Sequence, residues 1–151
     1  MKEYHKMAIE IRTVMPIDYE QLVELMGDLG YPTTFEKLMK RFEVIEKHED
    51  YKALVAVEGN NVVGFAGMCK ALAFEFDGIY VRLLAFVVKS NQREKGVGKM
   101  LLNACEQWAI EIGAKTITLN SGNREEREVA HLFYKRNGFE GKSTGFIKKL
   151  N

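Results

Sequence analysis

The sequence predicts an α/β fold: a mixed sheet carrying helices on its faces. Short runs rich in β-branched and aromatic residues alternate with stretches whose apolar residues recur every three to four positions. The resulting order, β, α, α, β, β, β, α, β, α, β, interleaves the two kinds of element as a layered domain does. The apolar run Ile79–Val88 is broken only by Arg82, which is the pattern of a central strand covered on both faces.

Taken in order, Ala8 to Val14 reads as a strand, with Ile9 and Ile11 alternating against Glu10 and Arg12. Asp18 is placed to cap a helix, with Gln21 completing a capping box; Leu22, Leu25, Met26 and Leu29 form its stripe and Gly30 ends it. Thr33 with Glu36 repeats the capping pattern after Pro32, ahead of a stripe of Phe35, Leu38, Met39 and Phe42. Ala53–Val57 and Val62–Met68 are strands of a hairpin turned by Glu58-Gly59-Asn60-Asn61. Phe74 to Gly78 forms a further turn before the strand Ile79–Val88. Gly98 to Ile112 is helical, with Leu101, Cys105, Trp108 and Ile112 on one face and Gly113 as the stop. Thr116–Leu119 is a strand, Asn120–Arg127 a polar loop, and Glu128–Arg136 a short helix carrying Val129, Ala130, Phe133 and Tyr134, closed by Asn137-Gly138. A last strand is expected over Thr144–Leu150.

The chain has 151 residues, two prolines and no repeat or low-complexity linker, so one domain over residues 1–151 is expected. Twenty-two basic and 21 acidic residues leave a formal charge of +1, which gives no reason to expect nucleic-acid or membrane partners. Any anion site must therefore be local. Met1 to Lys6 lacks the apolar core of a secretory signal, and no apolar run nears the ~18 residues needed to span a bilayer; a cytoplasmic protein is expected. Cys69 and Cys105 lack metal-ligand spacing and read as buried, reduced thiols, so neither a metal nor a catalytic cysteine is expected.

The segment that carries chemistry is the strand ending at Val88, the loop Lys89–Val97 and the helix after it. The first N–H groups of a helix have no partner within it, and its dipole adds roughly half a positive charge, so a glycine turn leading into a helix suits an anion. Gly96 and Gly98 remove Cβ atoms that would hold a phosphate away, and Arg93, Lys95 and Lys99 add charge. A Walker loop is excluded because Arg93 stands where its first glycine belongs and Met100 where Ser or Thr belongs. The dinucleotide fingerprint fails at Leu101. On these residues alone, a pyrophosphate cradle and a basic surface turn with helix-capping glycines both remain.

Arg93-x-x-Gly96-x-Gly98 after an apolar strand resembles the acetyl-CoA loop of the GCN5-related N-acetyltransferase (GNAT) superfamily. Ala130-His131-Leu132-Phe133-Tyr134-Lys135-Arg136-Asn137-Gly138-Phe139 resembles its second motif, and Leu29-Gly30-Tyr31-Pro32 is similar to members acting on small molecules. The resemblance spans nearly the whole chain. It implies a mixed central sheet whose fourth and fifth strands splay, with helices on its faces and acetyl-CoA as cosubstrate. It places the pantetheine arm on the backbone of Phe86, Val87 and Val88. The pyrophosphate falls to the N–H groups of Glu94, Lys95, Gly96, Val97, Gly98 and Lys99, beside the Arg93 guanidinium. Tyr134 matches the tyrosine that protonates the departing thiolate, which is sound chemistry for a phenol within hydrogen-bond reach. A homodimer is common among similar proteins and is expected only on that ground.

The pattern breaks in two places. Arg127 stands where the superfamily often has a cofactor-contacting Asn, and the nearby Asn123 is its weaker substitute; Arg127 either reaches a CoA phosphate or is solvated. The fourth strand offers Arg82 where a carboxylate base is often found, while Glu75 and Asp77 in the preceding turn either reach the site or are exposed. Arg82 either pairs with an internal carboxylate or faces the acceptor and attracts an anionic amine. His131 reads as a packing or surface position rather than a catalytic one. The expected activity is direct transfer of acetyl to the primary amine of a small molecule. A protein or peptide amine and a noncatalytic acyl-CoA-binding module are the alternatives.

Overall fold

The computed structural model describes residues 8–121 and 127–150, with the side chains of Arg93 and Glu94 excepted. The chain divides into two compact units, one ending at Thr118 and the other beginning at Leu119. In the first, β1 (Ile9–Thr13) is followed by a 3₁₀ turn at Pro16–Asp18, α1 (Tyr19–Leu29) and α2 (Phe35–Ile45). β2 (Tyr51–Glu58), β3 (Asn61–Leu72) and β4 (Ile79–Val88) come next, then a 3₁₀ stretch at Ser90–Lys95 and α3 (Val97–Glu111). β5 (Ile117–Leu119) completes a sheet of order β1-β2-β3-β4-β5. The first four strands pair antiparallel with their sequence neighbours, whereas β5 runs parallel to β4, so the sheet is mixed as expected. That strand is led in by the Lys115 N–H donating to the Ile79 carbonyl at 3.1 Å and the Val81 N–H to the Thr116 carbonyl at 2.9 Å.

Apolar packing holds this unit on both faces of the sheet. Leu22, Leu25 and Met26 of α1 and Leu38 and Phe42 of α2 pack on Val55, Val57, Val62, Phe65 and Val87. Each such buried Leu contributes roughly 1.5–3 kcal/mol over an exposed one. On the other face Val97, at the start of α3, meets Ala56, Val63 and Val88. The β2–β3 hairpin closes through Gly59 and Asn60, with Glu58 facing Asn61 and Gly59 at φ 62°, a conformation that favours glycine.

Several local expectations change. Asp18 does not cap α1 through its side chain. Pro16 starts a helical turn earlier, and the Asp18 carboxylate instead accepts from the Met15 N–H at 2.8 Å and from both terminal nitrogens of Arg12 at 2.7 and 2.9 Å. Gln21 forms no capping box with it; its amide ties down the β2–β3 turn, donating to the Asn60 carbonyl at 2.9 Å and accepting from the Val62 N–H at 2.8 Å. α2 is capped one residue late, by Thr34, whose hydroxyl accepts from the Lys37 N–H.

β4 is not covered on both faces along its length. Its alternation slips once: Met68 faces Leu83 and Gly67 faces Ala85, so Leu84 is the extra residue of a β-bulge. Before the slip Val81 and Leu83 are buried while Arg82 and Leu84 are exposed. Beyond it Val87 enters the α1/α2 core, and Phe86 and Val88 pack toward α3.

In the second unit α4 (Glu128–Arg136) ends at Asn137, whose side chain donates to the Phe133 carbonyl at 2.8 Å. Gly138 comes next, at φ 90°. The strand expected over Thr144–Leu150 is absent: residues 139–150 adopt no regular element, and Phe146, Ile147 and Leu150 are exposed. Phe146-Ile147 and Lys148-Lys149 sit as like neighbours, so extended chain here would have no apolar face to bury.

Candidate functional site

β4 delivers the chain to Val88, and the Lys89 N–H closes onto the Val63 carbonyl at 2.9 Å, fixing where the loop leaves the sheet. The Lys89 ammonium lies 3.9 Å from Glu24 on α1. The loop winds through Ser90–Lys95, with the Gln92 N–H donating to the Lys89 carbonyl at 2.9 Å. It then turns at Gly96, whose φ of 79° is left-handed and strained for any residue with a Cβ. The Gly96 carbonyl accepts from the Met100 N–H at 3.1 Å, so α3 begins at Val97, one residue before the sequence placed it.

This geometry leaves the N–H groups of Val97, Gly98 and Lys99 without acceptors inside the helix, at its positive end. Val97 and Gly98 are buried, whereas Lys95, Gly96 and Lys99 are exposed around them. A Cβ built on Gly96 would meet none of the described residues within 4 Å, which leaves space at the turn. The loop therefore combines converging amides, two exposed ammonium groups and room for a ligand, which is what an anion such as a pyrophosphate requires. Arg93 and Glu94 lie in the 3₁₀ stretch; their side chains are outside the described residues, as is Asn123.

Phe86, Val87 and Val88 occupy the last three positions of β4, paired with Ala66, Phe65 and Gly64 of β3. They lie just past the Leu84 bulge, and the bulge is a feature the sequence did not disclose. A second unforeseen feature is Gln92, buried in the loop with a side-chain carbonyl that finds no donor among the described residues. Its polarity within Ser90–Lys95 gave no sign of burial.

Tyr134 lies in the second unit on α4, 8% exposed, its ring 5.7 Å from those of Phe133 and Phe139. Burial raises its phenol pKa above the ordinary value of 10, with Arg127 pulling the other way. The group thus stays protonated at neutral pH, the form a proton donor needs. Arg127 stands at the N-terminal cap of α4 and His131 is half-buried on it.

Glu75 and Asp77 prove to be exposed turn residues, and the Glu75 carboxylate accepts from the Phe74 N–H at 3.1 Å. Arg82 is exposed, so the internal carboxylate considered for it is not needed; among the described residues it makes no ion pair. Cys105 is fully buried, its thiol pushed up to about 12 by burial. Cys69, expected to be buried, is half-buried, at the position of β3 that faces the exposed Arg82. Among the described residues no group of His, Cys, Asp and Glu could hold a metal ion, and no helix is long and apolar enough to cross a membrane.

Residues 19–139 match the model of the acetyltransferase (GNAT) family. A GNAT family acetyltransferase of Staphylococcus aureus subsp. aureus USA300_TCH1516 is similar in structure, with TM-score 0.81 and 40% identity over 95% of this chain and 100% of that one. The uncharacterized N-acetyltransferase YhdJ of Bacillus subtilis (strain 168) is 26% identical over 117 residues, 78% of this chain and 80% of the relative. Aminoglycoside N-acetyltransferase AAC(6')-Iy in complex with CoA shares the fold, with TM-score 0.81 at 20% identity, covering 95% of this chain and 96% of that one.

Proposed function

The chain belongs to the GNAT family of acetyltransferases, and from that premise we propose that it moves an acetyl group from acetyl-CoA directly to the primary amine of a small molecule. The observation that carries this reading is the left-handed Gly96 at the N-terminus of α3, which opens a cradle of amides between Lys95 and Lys99. The pyrophosphate is bound there, by the N–H groups of Glu94 to Lys99 with Arg93 beside them. The pantetheine arm lies along the backbone of Phe86, Val87 and Val88, and Asn123 contributes to the cofactor. The small-molecule acceptor rests on the resemblance of Leu29-Gly30-Tyr31-Pro32. A single domain spanning both units is supported by the family match, which runs through each of them. The protein works in the cytoplasm.

In the reaction the neutral amine nitrogen attacks the thioester carbonyl carbon. A C–N bond forms, the C–S bond breaks and the CoA thiolate departs. Tyr134 supplies the thiolate with a proton; its raised pKa keeps that proton available at neutral pH. An amine with an ordinary pKa near 10.4 is mostly protonated at pH 7 and gives its proton to water before or during attack.

The test is thiol release from acetyl-CoA across a panel of small amines and peptides, run beside thermal unfolding with acetyl-CoA. Acetyl-CoA at ~100 times its dissociation constant stabilises the fold by about 2.7 kcal/mol. Release with small amines and not with peptides is the expected result. Release with peptides alone would reassign the acceptor, and stabilisation without release would make the chain an acyl-CoA-binding module.

A further inference from the structure

Arg82 is an exposed cation on β4 that makes no ion pair among the described residues. Along β2, Ala53, Val55 and Val57 point into the α1/α2 core, so Tyr51, two residues earlier, shares their face. Tyr51 faces Cys69 on β3, and Cys69 faces Arg82 on β4, which places Arg82 on that same face of the sheet. Asp50, which also acts electrostatically on the Cys69 thiol, makes no ion pair with it. Arg12 shows the contrast: it is held by Asp18 at 2.7 Å.

The next cross-strand row toward the core is Ala53, Gly67 and Ala85, three small residues that are only half-buried. The sheet is therefore reachable beside Arg82, as a shallow strip whose inner end is walled by the Phe65 ring, 3.2 Å from where a Gly67 Cβ would stand. An arginine beside apolar surface is favoured for binding an oxyanion such as a carboxylate or phosphonate, because it presents paired donors and the nearby protein lowers the effective dielectric.

Position ties this strip to the chemistry. Arg82 precedes Phe86, the first residue of the proposed pantetheine strand, by four residues, or roughly 10–13 Å of extended chain. We propose that the acceptor is an amine that also bears an anionic oxygen group, a carboxylate or a phosphonate, which Arg82 binds while the amine reaches the thioester. This rests on the acetyl-transfer reading and narrows it. Arg82 fixes the acceptor and selects against polyamines, whose cations it repels.

The experiment uses the full chain and matched amines that differ only in whether the acid is free or amidated, with carboxylate and phosphonate series run in parallel. The expected result is kcat/KM at least tenfold higher for the free acids in one series or both, the better series naming the anion. In Arg82→Ala the acceptor KM should rise about 10- to 100-fold with the acetyl-CoA KM unchanged, and Arg82→Lys should fall between. Equal use of free and amidated amines, preference for polyamines, or an Arg82→Ala acceptor KM equal to the parent's each overturns the proposal while leaving acetyl transfer standing. Absence of thiol release with every amine, together with absence of stabilisation by acetyl-CoA, overturns the reading beneath it.

Discussion

Gly96 and Gly113 bracket α3 and form a natural pair for testing the cradle. Both are left-handed, at φ 79° and 83°, and among the described residues a Cβ at either meets nothing within 4 Å. Replacing either by alanine therefore creates no clash, and the cost is the backbone's alone. For an L-residue held in the left-handed region that cost is about 1–2 kcal/mol. At roughly 2–4 °C per kcal/mol for a chain near this size, each variant should melt about 2–8 °C below the parent. The two should part when acetyl-CoA is added. A Gly96 Cβ would stand at the N-cap of α3, where the proposed cradle would hold the phosphates, while Gly113 lies at the helix's far end. If the intruding methyl weakens binding tenfold, acetyl-CoA that stabilises the parent by about 2.7 kcal/mol stabilises Gly96→Ala by only about 1.4 kcal/mol. Gly113→Ala should keep the full increment. Thermal unfolding with and without a fixed acetyl-CoA concentration reads both effects, and equal protection of the two variants would refute the assignment of the loop.

Tyr134→Phe should lower kcat by about 10²-fold while leaving acetyl-CoA binding intact, as thiol release and thermal shift would report. Because burial raises the Tyr134 pKa, any alkaline fall in kcat caused by its ionisation should lie above pH 10; an unchanged kcat in the variant would remove the role. Burial pushes the Asp18 carboxyl up, but bonds from Arg12 and the Met15 N–H outweigh it and hold the pKa below the ordinary 3.8. A depressed carboxylate stabilises the fold above its unfolded pKa and loses that contribution as pH falls through the folded value. Asp18→Asn should thus cost roughly 1.5–3 kcal/mol at pH 7, and the gap to the parent should shrink below about pH 4; a gap constant in urea titrations at both pH values would contradict this. A maleimide applied to the native protein at pH 7 should label the half-buried Cys69 and spare Cys105, whose thiol is pushed up to about 12, with equal rates counting against the packing described.

The elements legible in the sequence are those whose periodicity survives on a single face. Leu22, Leu25 and Met26 recur at helical spacing because one side of α1 is dry, and they are where the stripe put them. The glycine at position 96 is legible for a different reason: a left-handed turn admits few other residues, so its conformation is written in its identity. The bulge at Leu84 is not legible, since Leu83, Leu84 and Ala85 are all apolar and a slip of phase leaves the pattern unchanged. Capping departs from the spacing at Asp18 and Thr33 because a carboxylate or hydroxyl satisfies whichever amide the preceding proline brings near. The Thr144–Leu150 strand fails because β-rich composition is no guarantee of a ladder partner.

The bulge also explains how one strand carries both an exposed cation and two cores. In an unbroken strand the residues sharing Arg82's face would be Leu84, Phe86 and Val88. They would be driven into the α1/α2 core, where Ala85 and Val87 now sit against Phe65 and Phe42, and a core at native density does not take that extra volume without strain. The one-residue slip sends Phe86 and Val88 to the α3 face instead and puts the small Ala85 opposite Gly67. Arg82 is then succeeded on its own face by a row of small side chains rather than a wall of large ones. The same irregularity that keeps both cores at their proper volume thus leaves the sheet open beside the arginine, so the packing of the fold and the acceptor strip proposed at Arg82 would have one structural cause.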